Sequence, residues 1–158
     1  MFRELSRKNK QLPQKECIAL LQREMRGVLS VLGENGYPYG MPMNHFYNED
    51  DGCIYFHSGM TGHKIDALRA QSKVSFCVYD SGYRNADEWA LNIKSVIVFG
   101  EIECIDDRAT VADITRRFSL KFTKDTDYIE REIHAFAHKT LLLKLTPAHM
   151  TGKLVNES

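Results

Sequence analysis

The segment from Ile54 to Asp80, IYFHSGMTGHKIDALRAQSKVSFCVYD, decides how the rest of the chain is read. Its first residues, with Cys53, form an apolar run of strand length, and KVSFCVYD forms a second. Between them IDALRAQ carries apolar residues at helical spacing, so a short helix is expected from about Gly62 to Gln71. The link between strand and helix is dense in donors: His57, Ser58, His63 and Lys64 stand there with Gly59 and Gly62. A helix start presents unpaired N–H groups and a partial positive charge. A lysine in that first turn opposes the dipole unless something negative is bound, so the pattern suits a phosphate held by hydroxyl, backbone and ammonium together. A solvated loop with a surface lysine stays open on these residues alone, because the segment is neither a P-loop nor G-x-G-x-x-G.

Outward from this segment the chain reads as strands with short turns. QKECIALLQREMR, opened by Pro13, has apolar residues at helical spacing, and GVLSVL after it reads as a strand. GENGY (Gly33–Tyr37) is a tight hairpin signal. The returning strand, YPYGMPMNHFY, holds Pro38 and Pro42, which cannot donate to a ladder, so it belongs at an edge or where pairing is interrupted. NEDDG (Asn48–Gly52) is a second turn. LNIKSVIVFGEIECID is a long strand with Gly100 marking a bulge or a close approach. Helices are expected over roughly Asp107–Leu120 and Asp127–Lys139, and TLLLKLTP closes the chain as a last strand. Runs of antiparallel strands rather than alternating βα units favour a mainly β domain, a closed or half-closed barrel with helices at its ends. No repeat or linker divides residues 1–158, so one domain is expected.

Composition narrows the function. Lys plus Arg is 21 and Asp plus Glu is 21, which argues against nucleic-acid binding by bulk charge and leaves little self-repulsion between copies. No apolar stretch reaches membrane-spanning length and the start MFRELSRKNKQ has no signal-like core, so a cytoplasmic protein is expected. The four cysteines (17, 53, 77, 104) are widely spaced and read as reduced core residues.

Taken together, GVLSVLGENGYPYGMPMNHFY, the 54–80 segment, SVIVFGEI and LLLKLTPAHMTGK resemble the pyridoxamine 5′-phosphate oxidase-like flavin-binding family, on the side of its nitroimidazole-resistance branch. The resemblance spans nearly the whole chain and is most specific in the central segment. It implies a six-stranded antiparallel split β-barrel of Greek-key type, a homodimer, and FMN in grooves between subunits. Carried onto this sequence, His57, Ser58, Gly62, His63 and Lys64 would line the phosphate and ribityl chain. Met41, Pro42, Met43 and Asn44 would run along the flavin ring, with Ser95 and Val96 as a further contact. The implied activity is reduction of a small organic molecule, a nitroaromatic being one candidate, with electrons from a reduced nicotinamide or another donor. A non-catalytic flavin- or haem-binding storage or sensing module, or a deazaflavin relative, is the alternative. The oxidase proper carries an arginine beside its phosphate lysine and further arginines for its substrate. His63 stands beside Lys64 here and that arginine set is missing, so pyridoxamine phosphate oxidation is not expected.

The remaining conspicuous residues have plain readings. His134 and His138, a helical turn apart, lack a third ligand and read as a solvated helix face, with no metal expected. His149 is expected at the surface of the tail, and His45 faces either ring or core. Trp89, with Tyr83 and Arg84, lies in a loop that suits either a pocket cover or a dimer contact.

Overall fold

The computed structural model describes residues 1–157. Among the described residues eight strands are formed: β1 (Gln11–Leu12), β2 (Arg26–Leu32), β3 (Pro38–Asn44), β4 (Phe46–Asn48), β5 (Cys53–Ser58), β6 (Lys73–Tyr79), β7 (Asn92–Ile105) and β8 (Leu141–Asn156). The helices are α1 (Gln14–Arg23), α2 (His63–Ala70), α3 (Arg108–Ser119) and α4 (Thr126–Phe136). One antiparallel sheet has the order β3-β2-β6-β7-β8-β5-β4, with β1 paired to β8. Its two end strands, β3 and β4, are consecutive in the chain and are separated only by His45. The sheet therefore curls until its ends meet at one bent strand. Counting β3 and β4 as that single strand gives the six expected strands, with β1 as an addition.

The bend is held from inside. His45 is fully buried and its Nε2–H donates to the carbonyl of Leu21 at 2.7 Å. Lys121 donates to the carbonyls of His45 (2.9 Å), Leu21 (3.2 Å) and Glu24 (2.5 Å). One ammonium thus satisfies the end of α1 and the break in the strand, where backbone acceptors would otherwise be buried unpaired. Of the two places left open for His45, the core is the one it takes.

Each face of the sheet has its own cover. Leu29, Val31, Ile54, Phe56, Phe76, Val96 and Val98 fill the barrel, and α1 closes onto them through Cys17, Leu20 and Leu21. On the opposite face of β5, Cys53 and Tyr55 pack with Leu142 against Val111, Ile114 and Phe118 of α3. Burial on both faces explains why CIYF is an unbroken apolar run rather than an alternating one. The hairpin at Gly33–Tyr37 forms as expected, with Asn35 (φ 60°) and Gly36 (φ 77°) in the left-handed region.

Three expectations need correction. The last strand does not stop at Pro147 but runs on to Asn156, because a bulge carries the proline: the β7–β8 register shifts between Phe99 and Gly100. At that bulge a Cβ on Gly100 would lie 2.2 Å from the carbonyl oxygen of Thr146, a close approach only glycine allows. His149 is consequently in a strand, half-buried under Phe2 with ring centroids 4.7 Å apart, and not in a solvated tail. Of the four free cysteines, Cys17 and Cys53 are buried as expected, but Cys77 is half-buried on the outer sheet face and Cys104 is exposed.

Helix caps support α3 and α4. The Asp125 carboxylate accepts the Tyr128 N–H at 2.9 Å at the start of α4. Asp125→Ala is expected to destabilise the fold by about 1 kcal/mol in urea denaturation, and an unchanged midpoint would show that the cap contributes nothing.

Candidate functional site

β3 is the strand that positions the site. It pairs only with β2, so its other edge leaves alternate backbone N–H and C=O groups without ladder partners. Alternation sends Tyr39, Met41 and Met43 to the barrel side and leaves Pro38, Gly40, Pro42 and Asn44 exposed on the outside. The first turn of α2 lies against the barrel-side residues. The His63 ring stacks on Tyr39 with centroids 4.5 Å apart and an interplanar angle of 11°. Lys64 Nζ lies 3.7 Å from Met43 Sδ.

The Lys64 ammonium is the informative group. It is half-buried, its only polar contact among the described residues is a thioether, and burial lowers its pKa below the ordinary lysine value. A partly desolvated cation with no carboxylate beside it is a place for an external anion. The approach to it is clear: Gly62 adopts φ 120°, and a Cβ at Gly59 or Gly62 would meet nothing within 4 Å. The first turn of α2, entered through the open turn 58–62, thus lies against β3, whose other edge has no ladder partner among the described residues. That donor set fits a flat ring with an imide edge and a terminal phosphate.

The other expected site residues divide. Ser58 ends β5 half-buried beside this turn. His57 follows the alternation of β5 to its α3 side: its Nε2 lies 3.1 Å from Thr115 Oγ1 and its ring stacks on Phe118 at 4.3 Å. Burial draws the His57 pKa down to about 4, so the ring is neutral at pH 7. It faces away from Lys64. Met41 and Val96 are buried in the barrel. Met41 keeps backbone groups on the free edge of β3, whereas Val96 is paired on both sides, to Val78 and Gly152, and offers a ligand neither side chain nor backbone. Ser95 is half-buried on the outer face, paired with Tyr79 and Lys153. Tyr39 and Thr115 were missed by sequence reasoning. Period-two alternation along β3 was the signal that could have singled out Tyr39.

Other candidates resolve simply. His134 and His138 are exposed, and His138 lies in a separate 3-10 turn, Ala137–Lys139. The loop 81–90 extends the β6–β7 hairpin through a Tyr83–Asn92 bridge, with Arg84 Nε donating to the Trp89 carbonyl at 2.8 Å. Trp89 itself is 74% exposed. No helix among the described residues is long and apolar enough to cross a membrane.

A family model described as pyridoxamine 5′-phosphate oxidase matches residues 13–154. Comparison with curated proteins gives no match. Among solved structures, a candidate 5-nitroimidazole antibiotic resistance protein from Bacteroides thetaiotaomicron superposes with a TM-score of 0.77 at 19% identity, covering 92% of this chain and 87% of that one. A FAD-binding protein from Mesorhizobium loti gives 0.70 at 25% identity, covering 92% and 97%. A FAD-binding protein from Mycobacterium smegmatis gives 0.66 at 19%, covering 94% and 99%.

Proposed function

We propose that this chain, which belongs to the pyridoxamine 5′-phosphate oxidase family, is an FMN-binding flavoprotein that reduces a small organic molecule with electrons from a reduced nicotinamide or a similar donor. The observation that carries this is the half-buried, carboxylate-free Lys64 at the start of α2, its ammonium lying against Met43 of β3. Lys64, the backbone N–H groups of the α2 first turn and Ser58 would hold the phosphate. Backbone groups of Met41–Asn44 would line the ring edge, where a ladder partner is missing. The flavin, when bound, supplies the electron-carrying chemistry, and the protein binds, orients and shields it. His63, packed on Tyr39, stands beside Lys64 where the oxidase carries an arginine, and because the oxidase's separate substrate arginines have no match here, a neutral or aromatic substrate is favoured over a phosphorylated one. Two of the similar solved structures are FAD-binding proteins, which supports a flavin. We favour FMN because the anion site is a single lysine at one helix start, sized for one phosphate.

The same reading includes a homodimer. Strand register aligns Pro42, Val28, Cys77, Ile97 and Thr151 in one row across the outer sheet face. Ile97 and Phe99 are each 40% exposed there and Tyr79 60%. A sheet face this apolar beside the groove suits a second copy, which would complete the flavin site from above. Sedimentation is expected to show two chains per particle, and Ile97→Glu to give monomers that bind FMN less tightly. A wild-type monomer carrying bound flavin would contradict the shared site.

Activity is tested anaerobically. The purified protein is expected to show flavin absorbance that bleaches with NADH or NADPH and returns on adding a nitroaromatic acceptor. A flavin-loaded protein inert to both donors and to a chemical-reductant/acceptor cycle would favour a store or sensor.

A further inference from the structure

Behind the phosphate turn, on the far side of β5, lies a cleft of about 430 Å³ between β5, α3 and α4. Its floor is the His57–Thr115 pair and its wall includes the buried Ile133. Its rim is a single stripe of α4: Tyr128, Glu132 and Phe136, spaced four residues apart and so stacked along one helix face. Tyr128 is 47% and Phe136 52% exposed. Glu132 between them makes no ion pair among the described residues, and no lysine or arginine lines the cleft. Two aromatic faces, one free carboxylate and no competing cation are the composition that recognises an organic ammonium ion. The volume falls in the range of small-molecule sites.

We propose that this cleft, which borders the turn 58–62 at Ser58 and Gly59, is a second site that binds a small aromatic ammonium compound. Its ring lies on Ile133 and Phe136, its cationic nitrogen meets Glu132 and the Tyr128 ring, and its polar substituents reach the His57–Thr115 floor. The two sites share one strand end: Ser58 follows His57 directly and stands in the phosphate turn.

The test uses benzyltrimethylammonium, whose charge does not change with pH, titrated into the full-length protein saturated with FMN and again without added flavin. Calorimetry is expected to give one saturable site per chain, with phenylacetate and benzyl alcohol binding more weakly. Glu132→Gln and Phe136→Ala, both at exposed positions, are each expected to weaken the cation roughly three- to tenfold while leaving FMN affinity unchanged. Equal binding of phenylacetate, or cation binding unaffected by both substitutions, would overturn the proposal. Loss of FMN binding in the wild type with cation binding intact would instead strike at the flavin groove alone.

Discussion

Lys64→Ala is expected to weaken FMN binding about 10- to 100-fold, the scale of a lost charge-assisted hydrogen bond at roughly 1.5–3 kcal/mol. The fold should tolerate the change. Among the described residues the ammonium has a polar contact only with the Met43 thioether, while α2 is anchored by the buried Ile65, Ala67 and Leu68. Removing a partly desolvated cation without a protein partner relieves burial rather than breaking a pair, so the thermal midpoint of the flavin-free protein should stay level or rise. Lys64→Arg keeps the charge but demands room for a planar fork and should recover only part of the affinity. Fluorescence titration of FMN measures all three. Unchanged affinity in the alanine variant would place the phosphate elsewhere.

The second large effect is acid lability. Burial draws the His45 pKa from 6.5 to about 3, with Lys121 nearby pushing in the same direction. Burial alone lowers His57 to about 4. In the unfolded chain both rings take up a proton near pH 6.5, whereas in the fold they stay neutral. The unfolded state therefore binds more protons below that pH, and stability falls as pH drops from 6.5 towards 4. These two groups add no slope above pH 7.5. At about 1.4 kcal/mol per pKa unit, the loss by pH 4 is on the order of 3 kcal/mol per histidine, a large part of a typical domain's stability. Urea midpoints at pH 7, 5.5 and 4 should fall steeply, and His57→Gln should make that fall shallower. A flat profile would mean that the rings are solvated or protonated in the fold.

Much of this was legible before the fold was known. Two prolines in YPYGMPMN were enough to place β3 at an edge, since proline cannot donate to a ladder, and β3 does pair on one side only. Glycine at 100 announced the bulge, and the cluster from Ser58 to Lys64 announced the start of α2. What stayed hidden was tertiary. Nothing local tells that Lys121, far along the chain, reaches back to the carbonyls that let β3 and β4 bend at His45. The extension of β8 past Pro147 depends on pairing with β7, a non-local contact that overrides the proline signal. The direction of His57 follows from which face of β5 the helices cover, and a double-sided strand does not reveal that in its pattern of apolar residues.

The most direct measurement is a parallel titration of flavin-free protein with FMN and with riboflavin, which differ only in the terminal phosphate. A cradle built from Lys64 and the α2 N-terminus predicts one site per chain that binds FMN at least tenfold more tightly than riboflavin, with the difference sharply reduced in Lys64→Ala. Equal affinity for the two flavins, or no binding of either, would contradict it.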